Sequence, residues 1–327
     1  MCIRDSPGID DAQAIAFALC HANINLLGLT TVFGNADIEL TTNNALLILE
    51  QYGRSDVPVA RGASEPLNQS RMPAPDFVHG SDGMGELNLS PTVLVESNER
   101  AAEFIVRMVN ERPHEISLVG IGPLTNIAQA VVMDPSLPSK VKELVVMGGT
   151  VDKPGNVTPL AEANFISDPH AADLVCAHDW PLNVIGLDVT LEVPLSDQDL
   201  AQLRDDAGSM GRFIWDSSRY YIDFYASTDE YDGRRQCAMH DASALVYLVE
   251  RDAFKVLSGP ARVVSDGIAV GALVLDRYNR TSVSLFSHWH DRPNVSAAIG
   301  VDAARVRECF LNTILQSNIS QSGDVHG

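Results

Sequence analysis

The segment Ile116-Ser-Leu-Val-Gly120 is followed almost at once by Gly122-Pro-Leu-Thr-Asn126, and a helical pattern then continues to residue 133. A short aliphatic run that ends at glycine is typical of a buried strand in a parallel sheet. The unit therefore predicts a strand, a polar loop and a helix in succession. In open α/β sheets, ligands bind at loops of this kind, at the carboxyl ends of the strands.

The same alternation extends on both sides of this unit. Short runs rich in Val, Ile and Leu predict further strands at 26–32, 57–60, 143–147 and 182–188. Apolar residues recur at helical spacing from Ala12 to Leu19 and from Ala45 to Tyr52, and residues 101–110 follow a similar pattern. This order predicts a doubly wound α/β fold, with a mostly parallel central sheet flanked by helices in a Rossmann-like arrangement.

The region from about 195 to 239 departs from this alternation. It is mostly helical in pattern, then polar and aromatic, and it contains Tyr220-Tyr-Ile-Asp-Phe-Tyr225. We interpret it as a helical excursion over the edge of the sheet. Residues 1–327 are therefore expected to form one domain.

Composition limits the function classes. Lys and Arg total 23 against 43 Asp and Glu, a formal charge of −20, which argues against a nucleic-acid or anionic-membrane partner. No apolar run is long enough for a transmembrane helix. The scattered cysteines form no CxxC pair, which favours reduced thiols over disulfides or a zinc site. The start of the chain has no apolar signal segment, so a cytoplasmic location is expected.

Polar residues are concentrated where the predicted strands end. These groups are Pro7-Gly-Ile-Asp-Asp11, Gly34-Asn35, Gly122-Pro-Leu-Thr-Asn126, Met147-Gly-Gly149, Asn156, Glu162-Ala-Asn164 and His240-Asp241. Taken singly, each has a structural explanation as a helix cap, a turn or a helix-dipole charge. Taken together, adjacent carboxylates, a distant carboxylate and loop carbonyls form the oxygen-rich shell that Ca²⁺ prefers, whereas Zn²⁺ would need a Cys/His cluster.

The order and spacing of these motifs resemble the nucleoside hydrolase family, of the inosine–uridine-preferring type, over nearly the whole chain. The matching pieces are Pro7-Gly-Ile-Asp-Asp-Ala12, Thr31-Val-Phe-Gly-Asn35, Thr41-Thr-Asn-Asn-Ala45, His79-Gly-Ser-Asp-Gly83, Gly122-Pro-Leu-Thr-Asn-Ile127, Met147-Gly-Gly149, Gly155-Asn-Val-Thr-Pro159, Ala161-Glu-Ala-Asn164 and His240-Asp241. The resemblance implies calcium-assisted hydrolysis of the N-glycosidic bond of ribonucleosides, giving ribose and the free nucleobase.

The resemblance also implies roles for particular residues. The calcium ligands would be the carboxylates of Asp11 and Asp241 and the main-chain carbonyl of Ile121. The remaining contacts would hold the ribose: Asp10, Asn164 and Asp241 at the 2′- and 3′-hydroxyls, Asn156 and Glu162 at the 5′-hydroxyl, and Asn35 and Met147 beside the sugar. The family motif Glu-Phe-Asn reads Glu162-Ala163-Asn164 here, so packing beside the ribose should be looser.

The chemistry suits these residue types. Glycosidic cleavage passes through an oxocarbenium-like state, which carboxylates such as Asp10 would stabilise. His240 is the best candidate for donating a proton to the leaving base, and His79 is a candidate contact to the base or else a loop histidine without a role. Aromatic residues of the helical excursion form either a lid over the nucleobase or simply packing within a helix; they are Tyr221, Phe224, Tyr225 and Tyr231.

The start of the chain departs from the family pattern. The family motif has Asp-x-Asp before Pro-Gly, and the second acid is a calcium ligand and the general base. In this chain Ser6 occupies that position, Arg4 occupies the other, and Asp5 lies between them. Only six residues precede Pro7, so we predict that the first strand is missing and that residues 1–6 are not native sequence. Poor folding and poor turnover follow from that prediction.

Alternative functions remain open from the sequence. A non-catalytic nucleoside- or ribose-binding homologue is the main alternative, because of Ser6. A different calcium-dependent glycosidase or sugar-binding protein is a third possibility. The resemblance implies a homodimer or homotetramer, and the sequence does not decide between purine and pyrimidine nucleosides.

Overall fold

The computed structural model describes residues 1–278 and 289–322, and its largest feature is a nine-stranded sheet. The strands of this sheet are β1 (Cys2–Asp5), β2 (Gly28–Thr31), β3 (Val59–Arg61), β4 (Ser117–Gly120), β5 (Glu143–Met147), β6 (Leu182–Ile185), β9 (Phe254–Val263), β10 (Leu273–Leu275) and β11 (Asn294–Val301). Their order across the sheet is β10-β9-β11-β6-β5-β4-β1-β2-β3. Two further strands, β7 (Pro194–Ser196) and β8 (Gln236–Ala238), form a separate antiparallel pair.

Helices follow most of the strands. They are α1 (Ile9–Cys20), α2 (Ile38–Gln51), α3 (Asp76–His79), α4 (Ala101–Glu111), α5 (Thr125–Met133), α6 (Leu137–Lys140), α7 (Ala163–Ser167), α8 (Pro169–Cys176), α9 (Leu187–Thr190), α10 (Asp197–Asp206), α11 (Gly208–Ala226), α12 (His240–Tyr247) and α13 (Ala303–Ser322). Among the described residues, no helix is long and apolar enough to cross a membrane.

The sheet is parallel from β3 across to β11, and it becomes antiparallel where β9 and β10 complete one end. Each face is covered by its own buried apolar cluster. One cluster contains α1, α2 and α12 residues such as Ile15 and Leu245, and the other contains α4, α5 and α8 residues such as Phe104 and Val175. Helices on both faces bury both sides of the strands, which explains the continuous aliphatic runs. The prediction of a mostly parallel, doubly wound α/β sheet is confirmed.

The prediction that the first strand is missing is wrong. Cys2–Asp5 forms β1 in the middle of the sheet, with Ile3 opposite Leu29 of β2 and Val119 of β4. The flanking strands are themselves four residues long, so a four-residue segment fills the gap between them. The ladder bonds are made by main-chain groups, and Ile3 is fully buried. The prediction of poor folding rested on a missing central strand, so the structure removes its basis. That residues 1–6 are not native sequence stays a prediction.

The region 195–239 is mostly helical, as expected, because α10 and α11 fill most of it. The pattern did not predict the short β7–β8 pair that brackets these helices. Helix α11 contacts α1 and α3, which brings its aromatic residues close to the carboxyl edge of the central sheet.

Candidate active site

A cavity of about 770 Å³ opens where the central strands end. The residues that sequence analysis assigned to substrate contact or proton transfer all line it, together with Ile121: Asp10, Asn35, His79, Met147, Asn156, Glu162, Asn164, His240 and Asp241. They come from the segments that follow β2, β4 and β5, from the last residues of β5 and α3, and from the starts of α1, α7 and α12. The parallel topology thus brings together residues that lie far apart in the sequence.

Three buried carboxylates lie close together at the site, and two of them, Asp10 and Asp241, line the cavity. Asp10, Asp11 and Asp241 each offer an oxygen atom within 4.8 Å of the others. Burial raises the pKa of Asp10, the nearby His79 ring lowers it, and the Asp11 charge raises it again. Buried carboxylates that face one another are costly unless a cation offsets their charge. An oxygen-only donor set of this kind fits a hard cation such as Ca²⁺ or Mg²⁺.

Asp11 is held in place by its own loop and by Asn35. Its Oδ1 accepts a hydrogen bond from the Ser6 amide at 3.2 Å, and its Oδ2 accepts bonds from the Gly8 amide at 2.8 Å and Asn35 Nδ2 at 2.7 Å. A Cβ at Gly8 would lie 2.6 Å from Asn35 Nδ2, so a larger residue there would displace the Asn35 amide that bonds Asp11. The Asp11 carboxylate therefore caps α1 and is also one of the three carboxylates of the acidic cluster.

Ser6 lies directly behind this loop. The side chain is buried, and its Oγ has no hydrogen-bond partner among the described residues. Glycines crowd it: a Cβ at Gly122 would lie 2.9 Å from Ser6 Oγ, and one at Gly34 would lie 3.0 Å away. A buried hydroxyl group without a hydrogen-bond partner is energetically unfavourable and is uncommon in native structures.

The side of the cavity formed by residues 148–164 is rich in hydrogen bonds. Glu162 caps α7, and its carboxylate accepts bonds from the amides of Gly149, Asn164 and Phe165 at 2.8 to 3.2 Å. Burial raises the pKa of Glu162 to about 7, although these three bonds oppose the shift. Asn156 Oδ1 accepts a bond from the Ala163 amide at 3.0 Å, so its Nδ2 is the group available to a ligand.

Asn164 joins this side of the cavity to the acidic cluster. Its Nδ2 donates to the main-chain oxygens of Ile121 at 3.3 Å and Met147 at 3.2 Å. The predicted ligand carbonyl of Ile121 and the predicted sugar contact Asn164 are therefore direct neighbours.

The opposite side of the cavity is aromatic. His79 stacks on Tyr221 with ring centroids 5.7 Å apart, and its Nδ1 accepts a 3.3 Å bond from the Ile9 amide. Tyr221 and Tyr225 meet edge to face at 5.0 Å. Tyr221 and Tyr225 are buried, so they form a packed wall of the cavity. The packing interpretation therefore holds for Tyr221 and Tyr225, and a lid over the nucleobase stays a prediction.

His240 is enclosed between two hydroxyl groups. Its Nδ1 lies 2.7 Å from Thr190 Oγ1, and its Nε2 lies 2.8 Å from the Tyr225 hydroxyl. Burial lowers the pKa of His240 to about 4. Burial also keeps the pKa of Tyr225 well above its usual value of 10, so the phenol retains its proton. The ring of His240 is therefore neutral at pH 7, with both nitrogens engaged.

Sequence reasoning missed the contacts that hold His240. Thr190 was not identified at all, and Tyr225 was assigned only to a lid over the nucleobase or to packing within a helix. The spacing of Tyr221 and Tyr225 was a usable signal, because residues four apart lie on the same face of a helix. Asn126 has the structural role that its turn suggested, since it bonds the Ala63 amide and the Thr31 carbonyl.

Fold and site together define an α/β enzyme with a buried acidic centre at the carboxyl edge of its sheet. The family model of inosine-uridine preferring nucleoside hydrolases matches residues 4–308. The chain belongs to this family, and it is therefore a hydrolase of N-glycosyl compounds.

Known relatives agree over nearly the full length. Uridine nucleosidase 1 of Arabidopsis thaliana is 39% identical over 310 residues, which cover 94% of this chain and 90% of the relative. A plant nucleoside hydrolase structure matches with a TM-score of 0.91 at 33% identity, covering 96% of this chain and 98% of its own. A purine-preferring ribonucleoside hydrolase from Gardnerella vaginalis matches with a TM-score of 0.88 at 30% identity, covering 97% and 99%.

Proposed function

We propose that this protein hydrolyses ribonucleosides to ribose and free nucleobase in a calcium-dependent reaction within this cavity. The observation that carries the proposal is the buried cluster of Asp10, Asp11 and Asp241, two of which, Asp10 and Asp241, line one cavity together with hydrogen-bonding and aromatic residues. A ribose needs the first kind of surface and a nucleobase needs the second.

The acidic cluster is the natural position for the ion. We assign the carboxylates of Asp11 and Asp241 and the carbonyl of Ile121 as its ligands. When bound, calcium would supply positive charge that orients ribose hydroxyls and acidifies water. Burial raises the pKa of Asp10. Its carboxylate would face the ribose ring, where positive charge develops in the transition state.

Amide and carboxylate groups would hold the ribose. We assign Asp10, Asn164 and Asp241 to the 2′- and 3′-hydroxyls, and Asn35 and Met147 to the neighbouring wall. Asn156 Nδ2 and the Glu162 carboxylate would bind the 5′-hydroxyl as donor and acceptor, because Asn156 Oδ1 is already used by Ala163. This pairing matches the one donor and one acceptor role of a hydroxyl group.

The aromatic side would activate the leaving base. A neutral His240 is a poor acid and burial raises the pKa of Tyr225, so we assign a hydrogen bond to the leaving base and not a full proton transfer. With the Nε2–H of His240 donating to the Tyr225 oxygen, the phenol is free to donate to the base. His79 accepts a bond from the Ile9 amide at Nδ1, which leaves its Nε2 as the donor toward the base. Hydrogen bonds of this kind lower the barrier to departure of the base.

Uridine and inosine are the substrates to test first. The Arabidopsis relative is named a uridine nucleosidase, whereas the Gardnerella structure is titled as purine-preferring. We further expect one domain over residues 1–327, assembly as a homodimer or homotetramer, and a cytoplasmic location, as the resemblance and the sequence implied.

A non-catalytic nucleoside- or ribose-binding protein is the second candidate. The observation that favours it is Ser6, whose buried hydroxyl has no partner among the described residues at the position where the family places its general base. Such a protein would keep the ribose contacts but lack the group that activates water.

The deciding experiment measures ribose release by a reducing-sugar assay with uridine and inosine. Samples are treated with EDTA, and calcium is then restored. We expect release that EDTA abolishes and calcium restores. Nucleoside binding without release, measured by calorimetry, would support the second candidate. If nucleosides neither bind nor react, both candidates fail and a different glycosidase or sugar-binding activity takes their place.

A further inference from the structure

Asp188 is a buried carboxylate outside the cavity lining that organises one side of the cavity. It lies in α9 and is 3% exposed. Its oxygens accept hydrogen bonds from the amides of Val151 at 2.7 Å, Asp152 at 2.6 Å and Lys153 at 3.0 Å. The Thr150 hydroxyl adds a contact at 3.3 Å. One side chain thus fixes four consecutive residues of the segment that follows β5.

The anchored segment leads directly to Asn156. Lys153 and Asn156 both line the cavity, and only Pro154 and Gly155 separate them. Gly155 packs against the Ala161 main chain so closely that a Cβ would lie 2.2 Å from the Ala161 oxygen. Asp188 fixes residues 150–153, and the restricted backbone of Pro154 and the close packing of Gly155 leave little freedom after them. The position of Asn156 therefore depends on Asp188.

We infer that Asp188 is a positioning residue for recognition of the substrate's 5′-hydroxyl, acting through Asn156. This inference rests on the proposed function, because it assumes a ribonucleoside in the cavity with its 5′-hydroxyl at Asn156 and Glu162. Asp188 itself does not touch the substrate. It holds the segment 150–153 in the conformation that presents Asn156 Nδ2 to the ligand.

A charged acceptor is required for this role. Three amide donors converge on one carboxylate, and hydrogen bonds to an ionised acceptor are stronger than those to a neutral one. In Asp188→Asn, one oxygen becomes an NH₂ group that faces amide N–H groups. At least one donor then loses its partner, and the segment that carries Asn156 loosens.

Asp168 provides a matched control. It is also fully buried, and it also anchors a loop, accepting bonds from the Leu67 amide at 2.9 Å, the Ala171 amide at 3.0 Å and the Thr125 hydroxyl at 2.7 Å. None of these residues lines the cavity. Asp168→Asn should therefore reproduce the loss of a buried anchor without affecting Asn156.

The test compares kcat/KM for uridine and for 5′-deoxyuridine, which lacks the hydroxyl in question. In Asp188→Asn we expect kcat/KM for uridine to fall by about tenfold or more, and that for 5′-deoxyuridine to change by less than about twofold, because only the hydroxyl contact is lost. Asp168→Asn should leave the ratio of the two values as in the wild type. The double variant Asp188→Asn/Asn156→Ala should have nearly the same ratio of the two kcat/KM values as Asp188→Asn alone, because both substitutions act on the same contact.

An unchanged ratio in a folded Asp188→Asn protein, or full additivity with Asn156→Ala, would overturn the inference. If Asp188→Asn does not fold, Thr150→Val replaces it, since it removes the hydroxyl contact to Asp188 and the bond of the same hydroxyl to the Lys153 oxygen at 2.8 Å, both of which hold the segment 150–153. A smaller shift of the ratio in the same direction is then expected, and no shift overturns the inference. Absence of ribose release by the wild type from both substrates would instead contradict the proposed function, on which the inference depends.

Discussion

The hydroxyl of Tyr225 lies 2.8 Å from Nε2 of His240, deep in the aromatic side of the cavity. Both residues are buried, and the pKa of His240 falls to about 4 through burial. A neutral imidazole and a protonated phenol share a hydrogen bond without any buried charge. This pair therefore offers a hydrogen-bond donor at the base end of the cavity without burying a charge there.

Replacing Tyr225 with phenylalanine should impair departure of the base. The change removes the phenolic proton and the bond to His240 but keeps the ring in the wall. We expect kcat for uridine to fall by about 100-fold, the size of effect that follows when one hydrogen-bond donor to developing negative charge is removed. Hydrolysis of 4-nitrophenyl riboside should fall much less, because its leaving group departs without a proton. Steady-state assays with both substrates measure the difference.

Tyr247→Phe is the matched control for this variant. The Tyr247 hydroxyl bonds Asn183 Oδ1 at 2.9 Å, and neither residue lines the cavity. Its kinetics with both substrates should match those of the wild type. An equal loss with uridine and 4-nitrophenyl riboside in Tyr225→Phe would contradict a role in leaving-group activation.

The lowered pKa of His240 also predicts how stability depends on pH. The ring takes up a proton at about 4 in the folded protein and at 6.5 in the unfolded chain. The unfolded state therefore binds more protons in between, and stability is lost as the pH falls from 6.5 toward 4. Between about pH 7 and about pH 5, this residue should lower the free energy of unfolding by about 2 kcal/mol.

Urea unfolding of the wild type and of His240→Gln at the two pH values isolates this contribution, because glutamine does not titrate. Other groups affect both proteins equally. The wild type should lose about 2 kcal/mol more than the variant between the two pH values. Equal losses in the two proteins would show that His240 has its ordinary pKa in the folded state.

The sequence predicted strands well where aliphatic runs have clear ends. The predicted strand 143–147 is the observed β5, Glu143–Met147. The predicted strand 182–188 is too long, because β6 ends at Ile185 and the remaining residues begin α9. A buried strand and a buried helical turn share the same aliphatic composition, so periodicity does not separate them. β1 was missed because its formation depends on the neighbouring strands, which the segment itself does not reveal.

The site was predictable to a similar degree. Residues at strand ends were located in the cavity because parallel topology alone brings those ends together. The contacts made by Asp188 and Thr190 were not predictable, because they join segments 37 and 50 residues apart through the packing of α9. Long-range side-chain contacts depend on packing geometry, which local sequence patterns do not encode.

Ser6→Asp should strengthen calcium binding. The Ser6 amide already bonds Asp11 Oδ1, and the unpartnered Oγ lies in the same loop as the acidic cluster. A carboxylate here adds one negative oxygen ligand, and ligand charge is a main determinant of calcium affinity. We expect the dissociation constant for calcium to fall by about tenfold or more, with a parallel gain in kcat for uridine. Calorimetry and the ribose assay measure the two effects.

Ser6→Asn is the control for size, because it resembles the aspartate in shape but carries no charge. It should bind calcium no more tightly than the wild type. If Ser6→Asp and Ser6→Asn bind calcium equally well, the negative charge at this position does not determine calcium affinity.

Calcium should stabilise the wild-type protein, and Asp241→Asn should remove most of that effect. Asp10, Asp11 and Asp241 bring buried oxygens within 4.8 Å of one another, so a bound cation relieves their repulsion in the folded state only. With free calcium at about 100 times its dissociation constant, binding adds about 2.7 kcal/mol to the free energy of unfolding. Thermal unfolding in EDTA and in calcium measures the shift.

Asp37→Asn is the control, because it also removes one carboxylate but keeps a good cap for α2, where Asp37 bonds the amides of Glu39 and Leu40. It should retain the full calcium-dependent shift. An Asp241→Asn protein that calcium stabilises as strongly as the wild type would place the ion elsewhere.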